Sequence, residues 1–260
     1  MRILAVGDVV GRSGRKAFCT YTPKLKQEKN IDLVIVNGEN AAHGKGLTHS
    51  TFMELLSGGA DIVTSGNHIW DNRDIFKIID QEPFLIRPAN YPEGTPGKGF
   101  CIYPHRSKSV GVINLSGRAF MPVMDCPFIK ATEIIKELNS NSCDIIILDF
   151  HAEATSEKMS MGFFLDGKIT AMFGTHTHIQ TADERILPQG TAYITDLGMV
   201  GSLNSVLGIR PKEAIDKFLT AMPVKFEVAE GPCSYCGIIL EIDNKTNKVT
   251  NIERIYQTVE

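Results

Sequence analysis

The chain of 260 residues has little of several things: one tryptophan, six cysteines, and no aliphatic run longer than that of Ile145-Ile146-Ile147-Leu148. A membrane span needs roughly 20 apolar residues, so none is expected here. Neither sign of charge dominates. Lys plus Arg (27) nearly balance Asp plus Glu (30), leaving a formal net charge of −3. A long basic track for nucleic acid is therefore not expected, although a local basic pocket stays open. Apolar content of 43% with so small a net charge excludes disorder as the main state. The cysteines form no disulfide framework of the kind small secreted domains use. The one CxxC, Cys233-Ser-Tyr-Cys236, lacks a second ligand pair for zinc and runs into an apolar strand rather than a helix. It reads as small hydrophobes at a strand start. Asp8 follows Met1 too closely for a signal-peptide core, so a cytoplasmic protein is expected.

What is present is an alternation of short apolar strands and amphipathic segments without repeats or a long linker, so residues 1–260 read as one domain. Strands are expected at Arg2–Val6, Asp32–Val36, Asp61–Thr64, Phe100–Tyr103, Ser109–Leu115, Asp144–Phe150, Lys168–Phe173 and Thr191–Thr195. Helices are expected at Ser13–Glu28 (interrupted by Pro23), from a cap at Thr48 through Ser57, and at Asp71–Gln81, Pro127–Leu138 and Pro211–Thr220. The tail, with Val224–Val228, Tyr235–Ile242 and Lys248–Tyr256, reads as strand around a turn at Asp243–Asn247. This pattern is α/β, with the strand-rich stretches suggesting a second sheet packed on the first.

The informative feature is the polar residue that each strand delivers at its end. Ile3–Gly7 delivers Asp8, Leu33–Gly38 delivers Glu39 and Asn40, and Ile62–Gly66 delivers Asn67 and His68. Ile145–Phe150 delivers His151, and Ala171–Gly174 delivers His176 and His178. In open α/β sheets the carboxyl ends of strands form the ligand crevice, so these side chains point at one place. Carboxylate, carboxamide and imidazole without thiolate make a mixed N/O set suited to Fe, Mn or Zn. Glu39, with two oxygens, can bridge two ions, and a loop carrying His176 and His178 can straddle them. Two divalent ions set against Asp8, Glu39 and a bridging hydroxide leave one positive charge, which matches a phosphodiester monoanion. A two-ion centre is the usual arrangement for in-line displacement at phosphorus.

Gly7-Asp8, Gly38-Glu39-Asn40, Gly66-Asn67-His68, His151 and Gly174-Thr-His176-Thr-His178 resemble the motifs of the calcineurin-like metallophosphoesterases. The longer strings at 7–11, 37–42, 64–68 and 174–178 resemble the YmdB-like bacterial branch. The resemblance implies a two-sheet β-sandwich flanked by helices, a dinuclear Fe or Mn centre, and phosphodiesterase activity on small diesters such as 2′,3′-cyclic nucleotides. It implies that Asp8, Glu39, Asn40 and His178 hold one metal and that Glu39, Asn67, His151 and His176 hold the other. His68 would be the general acid toward the departing ribose oxygen, and a homo-oligomer would be expected. Two departures from the wider superfamily stand out: Val10 occupies the place of a usual histidine, and Glu39 that of a usual aspartate. Asn40 is the candidate to fill the vacated position.

Each residue also has a plainer reading. His68 can simply bond Asp71 and shape its loop. His43, on a glycine-flanked loop, is a substrate-lip candidate or a solvated histidine, whereas His49 and His105 read as surface residues. Trp70 reads as a core anchor beside the site, or as a base-stacking platform. Asp183, Glu184 and Arg185 either orient ligands or form a charged turn. Gly7, Gly11 and Gly14 imitate a dinucleotide fingerprint, but Val9 stands where glycine is needed; no P-loop and no G-x-S-x-G elbow is present. The rival functions are a regulatory scaffold on the same metal-binding fold, and phosphomonoesterase or nuclease action.

Overall fold

The computed structural model describes residues 1–260. Its first strand, β1 (Arg2–Val6), shows how the layers arise. Side chains alternate across a strand: Ile3 and Ala5 enter a core shared with a second sheet, whereas Leu4 and Val6 enter one roofed by helices. A strand buried on both faces has no polar side to show, hence the continuous apolar run in the sequence.

β1 lies in a seven-stranded sheet with β2 (Asp8–Val9), β3 (Leu33–Asn37), β4 (Ile62–Thr64), β11 (Met199–Ser202), β12 (Cys233–Ile242) and β13 (Val249–Val259). The second, six-stranded sheet runs in the order β5 (Phe100–His105), β6 (Lys108–Ser116), β7 (Ile145–His151), β8 (Ala171–Thr175), β10 (Ala192–Ile194), β9 (Arg185–Ile186). Between the sheets, Leu33, Ile35 and Ile238 meet Val112, Ile147 and Phe173. Outside the first sheet, helices α1 (Gly11–Glu28) and α2 (His49–Ser57) contribute Phe18, Leu25, Phe52 and Leu55. Outside the second, α3 (Pro127–Ser140) and α4 (Thr155–Leu165) contribute Ile134, Leu138, Met161 and Leu165. Each such side chain contributes roughly 1.5–3 kcal/mol by leaving water. The result is the expected two-sheet sandwich between helices, with α5 (Pro211–Thr220) largely exposed beside it. Cys233 and Cys236 stand at the start of β12, as expected, but are fully buried there rather than half-buried.

Several expectations need correction. α1 starts at Gly11 and continues through Pro23, because burial of Phe18, Thr22 and Leu25 offsets the lost hydrogen bond. Asp71–Gln81 holds only a 3₁₀ turn, Arg73–Lys77, begun by the Asn72 side chain accepting from the Asp74 N–H. The helical spacing of Ile75, Ile78 and Ile79 is met there by successive turns, which bury all three. Val224–Val228 is not a strand but makes one bridge, Ile209 to Val228. The helix α4 and the strand β11 were not expected. α4 buries Lys158 and exposes Phe163 and Phe164, which erases the amphipathic signal. β11 is short, with glycine inside it and Gly198 just before it.

The fold places Asp8 through a fork. The edge of β12 opposite β13 is shared end to end: Gly237–Glu241 pair with β1, and Cys233–Tyr235 pair with β11. β2 pairs with β11, so the chain changes neighbours at Gly7. A Cβ on Gly7 would sit 1.9 Å from the Gly198 carbonyl oxygen, so only glycine fits. We expect Gly7→Ala to destabilise the protein by at least ~2 kcal/mol in a urea titration. An unchanged midpoint would show that the fork can open without cost.

Candidate metal centre

β1, β3 and β4 run parallel, as do β7 and β8, so their carboxyl ends share an edge within each sheet. At those ends the structure gathers Asp8, Glu39, Asn40, Asn67, His151, His176 and His178 across the seam between the sheets. Gly66 leaves the space: a Cβ there would stand 2.3 Å from both Glu39 Oε2 and the His151 ring.

The hydrogen bonds fix which ring atoms face inward. Thr175 Oγ1 donates to Asp149 Oδ1 (2.7 Å), so its lone pair accepts from His151 Nδ1 (2.9 Å). His151 Nε2 then faces Glu39 Oε1, Asn67 Oδ1 and His176 Nδ1, each at 3.1 Å. All three are acceptors, and one proton on Nε2 can serve only one of them. His176 Nε2 lies 3.1 Å from the Glu153 carboxylate, which favours a proton there and leaves Nδ1 bare. His178 Nδ1 donates to the Leu207 carbonyl (3.0 Å), turning Nε2 toward Asn40 Oδ1 (3.3 Å) and Asp8 Oδ1 (3.8 Å). Asn40 spends its amide N–H on the Gly44 carbonyl (3.2 Å), which directs its oxygen inward. Asp8 Oδ1 is buried with no hydrogen-bond partner at all. A cluster of inward lone pairs whose outward atoms are held by carboxylate, hydroxyl or carbonyl groups is the donor arrangement of a metal site. Glu39, His151 and His176 alone bring their ligand atoms within 4.8 Å of one another.

Residues two apart on a strand face one side, yet His176 and His178 reach different neighbours. Both have left-handed backbones, at φ 99° and φ 63°. The loop therefore sends His176 toward His151 and His178 toward Asn40. Val10 is buried against Gly201 and Gly208. His68 lies at the rim of a cavity of about 210 Å³ that also touches Glu39, Asn40, Glu153, His176, Thr177, His178 and Leu207. Its backbone N–H donates to Glu39 Oε2 (3.1 Å), and its Nδ1 meets Asp71 Oδ2 at 2.9 Å.

The remaining candidates separate. Trp70 is packed against Phe76 and Tyr91, the core-anchor reading. His43 and His49 are exposed, but His105 is only partly so, with Nε2 3.5 Å from Asp32. Asp183 accepts from the Thr195 N–H (3.1 Å) and Glu184 pairs with Arg254 (3.1 Å), so neither orients a cluster residue directly. Glu153, Asp149, Thr175 and the Leu207 carbonyl were missed in the sequence. Only Glu153, two residues beyond His151, left a local trace.

A family model described as YmdB-like protein matches residues 4–255. A 2′,3′-cyclic-nucleotide 2′-phosphodiesterase of Bacillus subtilis is 52% identical over 255 residues, covering 98% of this chain and 96% of that protein. A crystal structure of a hypothetical protein from Thermus thermophilus superposes with a TM-score of 0.94 at 37% identity, covering 99% of each chain. One of a novel phosphatase from Mycoplasma pneumoniae gives 0.94 at 35% identity, covering 99% of this chain and 93% of that one. The chain belongs to the YmdB-like family.

Without metal, this YmdB-like centre holds a proton. Burial would raise the Glu39 carboxyl, but His151 overrides it and holds it down to about 2. Burial would likewise lower His151, yet Glu39 and then Asp8 raise it to about 9. His176 is pushed down to about 3 by burial and by the charge on His151. Burial carries Asp8 up to about 6. A metal held by these residues would therefore have to displace the His151 proton below about pH 9, and that of Asp8 as well below about pH 6. We expect Mn²⁺ affinity of the metal-stripped protein to rise roughly tenfold per pH unit toward pH 9, and more steeply below pH 6. Calorimetric titration in buffers of different ionisation enthalpy measures it. Affinity independent of pH would contradict the protonated Glu39–His151 pair.

Proposed function

We propose that this protein is a dinuclear-metal-dependent phosphodiesterase acting on small phosphodiesters, 2′,3′-cyclic nucleotides foremost. The carrying observation is the set of lone pairs converging on His151 Nε2 and Asp8 Oδ1, with every visible outward partner arranged to keep them bare. The Bacillus subtilis relative, named a 2′,3′-cyclic-nucleotide 2′-phosphodiesterase and matched over nearly the whole chain, supports the substrate class. In this reading Asp8, Glu39, Asn40 and His178 hold one ion, and Glu39, Asn67, His151 and His176 the other. The nitrogen and oxygen donors favour Fe or Mn, with Zn compatible. Bound ions of this kind supply Lewis acidity toward phosphoryl oxygens and activate water at neutral pH.

The chain's own residues do the rest. Asp71 holds His68 Nδ1, leaving Nε2 free to carry a proton to the departing ribose oxygen. Glu39 accepts the His68 backbone N–H, which ties the acid's position to the bridging carboxylate. The small cavity fits a cyclic or dinucleotide-sized diester better than a long strand. The crystal structure named a novel phosphatase supports a second reading, phosphomonoester hydrolysis at the same centre. The complete donor set argues against a scaffold that has lost its metals. We further infer that residues 1–260 act as one domain, in the cytoplasm. Exposed Ile215, Phe218 and Leu219 on α5 support a homo-oligomer; no helix is long and apolar enough to cross a membrane.

The test is turnover of 2′,3′-cyclic, 3′,5′-cyclic and monoester nucleotides by Mn- or Fe-loaded protein. We expect the 2′,3′-cyclic substrates to be preferred. His68→Ala should lower kcat on them by about 10²–10⁴-fold, and by much less on bis(4-nitrophenyl) phosphate, whose leaving group needs no proton. Asn67→Ala should depress both substrates alike. Full turnover of 2′,3′-cyclic nucleotides in either variant would remove the assigned role, and an inert metal-loaded wild type would favour the scaffold.

A further inference from the structure

We propose that Lys158 and Asp196 are a positioning pair that sets the His176 ring and ties it to Asp8, an inference that rests on the metal-centre reading above. Both side chains are buried, at 0% and 1% exposure, so neither can touch a substrate. Lys158 Nζ, reaching from α4, donates to Asp196 Oδ2 at 2.6 Å and to the Thr175 carbonyl at 2.8 Å. Asp196 Oδ2 also accepts the Thr177 N–H at 3.2 Å. The carbonyl before His176 and the N–H after it are thus held by the two ends of one ion pair.

Between those grips His176 has φ 99°, well outside the comfortable left-handed region for a residue with a side chain. Such backbones are strained and persist only where the surroundings fix them. The pair also reaches Asp8 by a second route. Asp196 Oδ1 accepts the Gly198 N–H (2.8 Å), and the Gly198 carbonyl accepts the Asp8 N–H (3.1 Å). The His176 N–H closes the loop by donating to Asp8 Oδ2 at 3.1 Å.

A buried ion pair is weak support for stability, since apolar residues of equal volume often serve as well. Apolar residues cannot grip a carbonyl and an N–H on either side of one residue. The pair sums to zero charge, so it fixes geometry without adding net charge beside the centre.

The experiment titrates metal-stripped, full-length protein with Mn²⁺ alone, following heat and the electron paramagnetic resonance of bound Mn²⁺. Lys158→Met should weaken one of two sites by about 10–100-fold and leave the other near wild type. His176→Ala should weaken the same site. Combined, the two should bind no more weakly than His176→Ala, because the lysine acts through that ring. Additive losses, or wild-type binding in Lys158→Met, would overturn the proposal. The Lys158→Met/Asp196→Asn variant leaves no unpaired charge and guards against a folding failure. It should melt near wild type yet still show the weakened site; wild-type binding there also overturns the proposal. A wild type that takes up no Mn²⁺ would instead sink the metal-centre reading.

Discussion

Mutual repulsion of unshared electron pairs is the constraint on which this structure turns. His151 Nε2 meets two oxygens and a nitrogen at 3.1 Å, and Asp8 Oδ1 is buried with nothing to bond. Such a cluster is costly in a low-dielectric interior unless a positive charge sits within it. Without metal the charge is a proton, which pairs His151 with Glu39 and leaves the remaining acceptors unsatisfied. A cation satisfies them together. The sandwich supplies the rigid frame: strands β1, β3, β4, β7 and β8, buried on both faces, hold the donors against that repulsion.

The outward contacts matter as much as the inward ones. An imidazole presents a lone pair only if its other nitrogen is occupied. Thr175, Glu153 and the Leu207 carbonyl each occupy one, and they come from a strand end, a loop and the segment between β11 and β12. Asp149 secures Thr175 and also bonds Asn37 Nδ2 (3.2 Å) and Thr64 Oγ1 from the facing sheet. The two sheets are therefore stitched by polar contacts where their apolar core ends and the site begins.

Most of the donor set was legible in sequence because five apolar strands deliver it, and four of the five are marked at or near their ends by glycine. Asp8, Glu39, Asn67 and His176 needed only that local signal. What failed to show depends on pairings distant along the chain. Lys158 sits on a helix whose exposed Phe163 and Phe164 and buried lysine invert the usual pattern, so neither the helix nor its role could be read. The Leu207 carbonyl has no sequence signature at all. The expected helix at Asp71–Gln81 failed for the opposite reason: its apolar spacing was right, but Asn72 capped a tight turn instead.

The donor inventory also shapes what the centre can accept. Histidine and asparagine bring no charge, so Asp8 and Glu39 are the only formal negative charges among the proposed ligands. The buried Lys158–Asp196 pair cancels itself nearby. Two divalent ions would exceed these two carboxylates by two positive charges, and that excess faces the small cavity beside His68. An anionic ester is drawn to it and water alone is a poorer match. The replacement of a usual histidine by Val10 adds nothing to this balance, because Asn40 brings an equally neutral donor toward His178. Glu39 is different: in the proposed two-ion reading it is the carboxylate that would serve both ions and set the charge they share. Its longer side chain reaches past Gly66, where any side chain would collide with it. The glycine before Asn67 and the glutamate after Gly38 thus form one steric unit, and the charge balance of the centre depends on both.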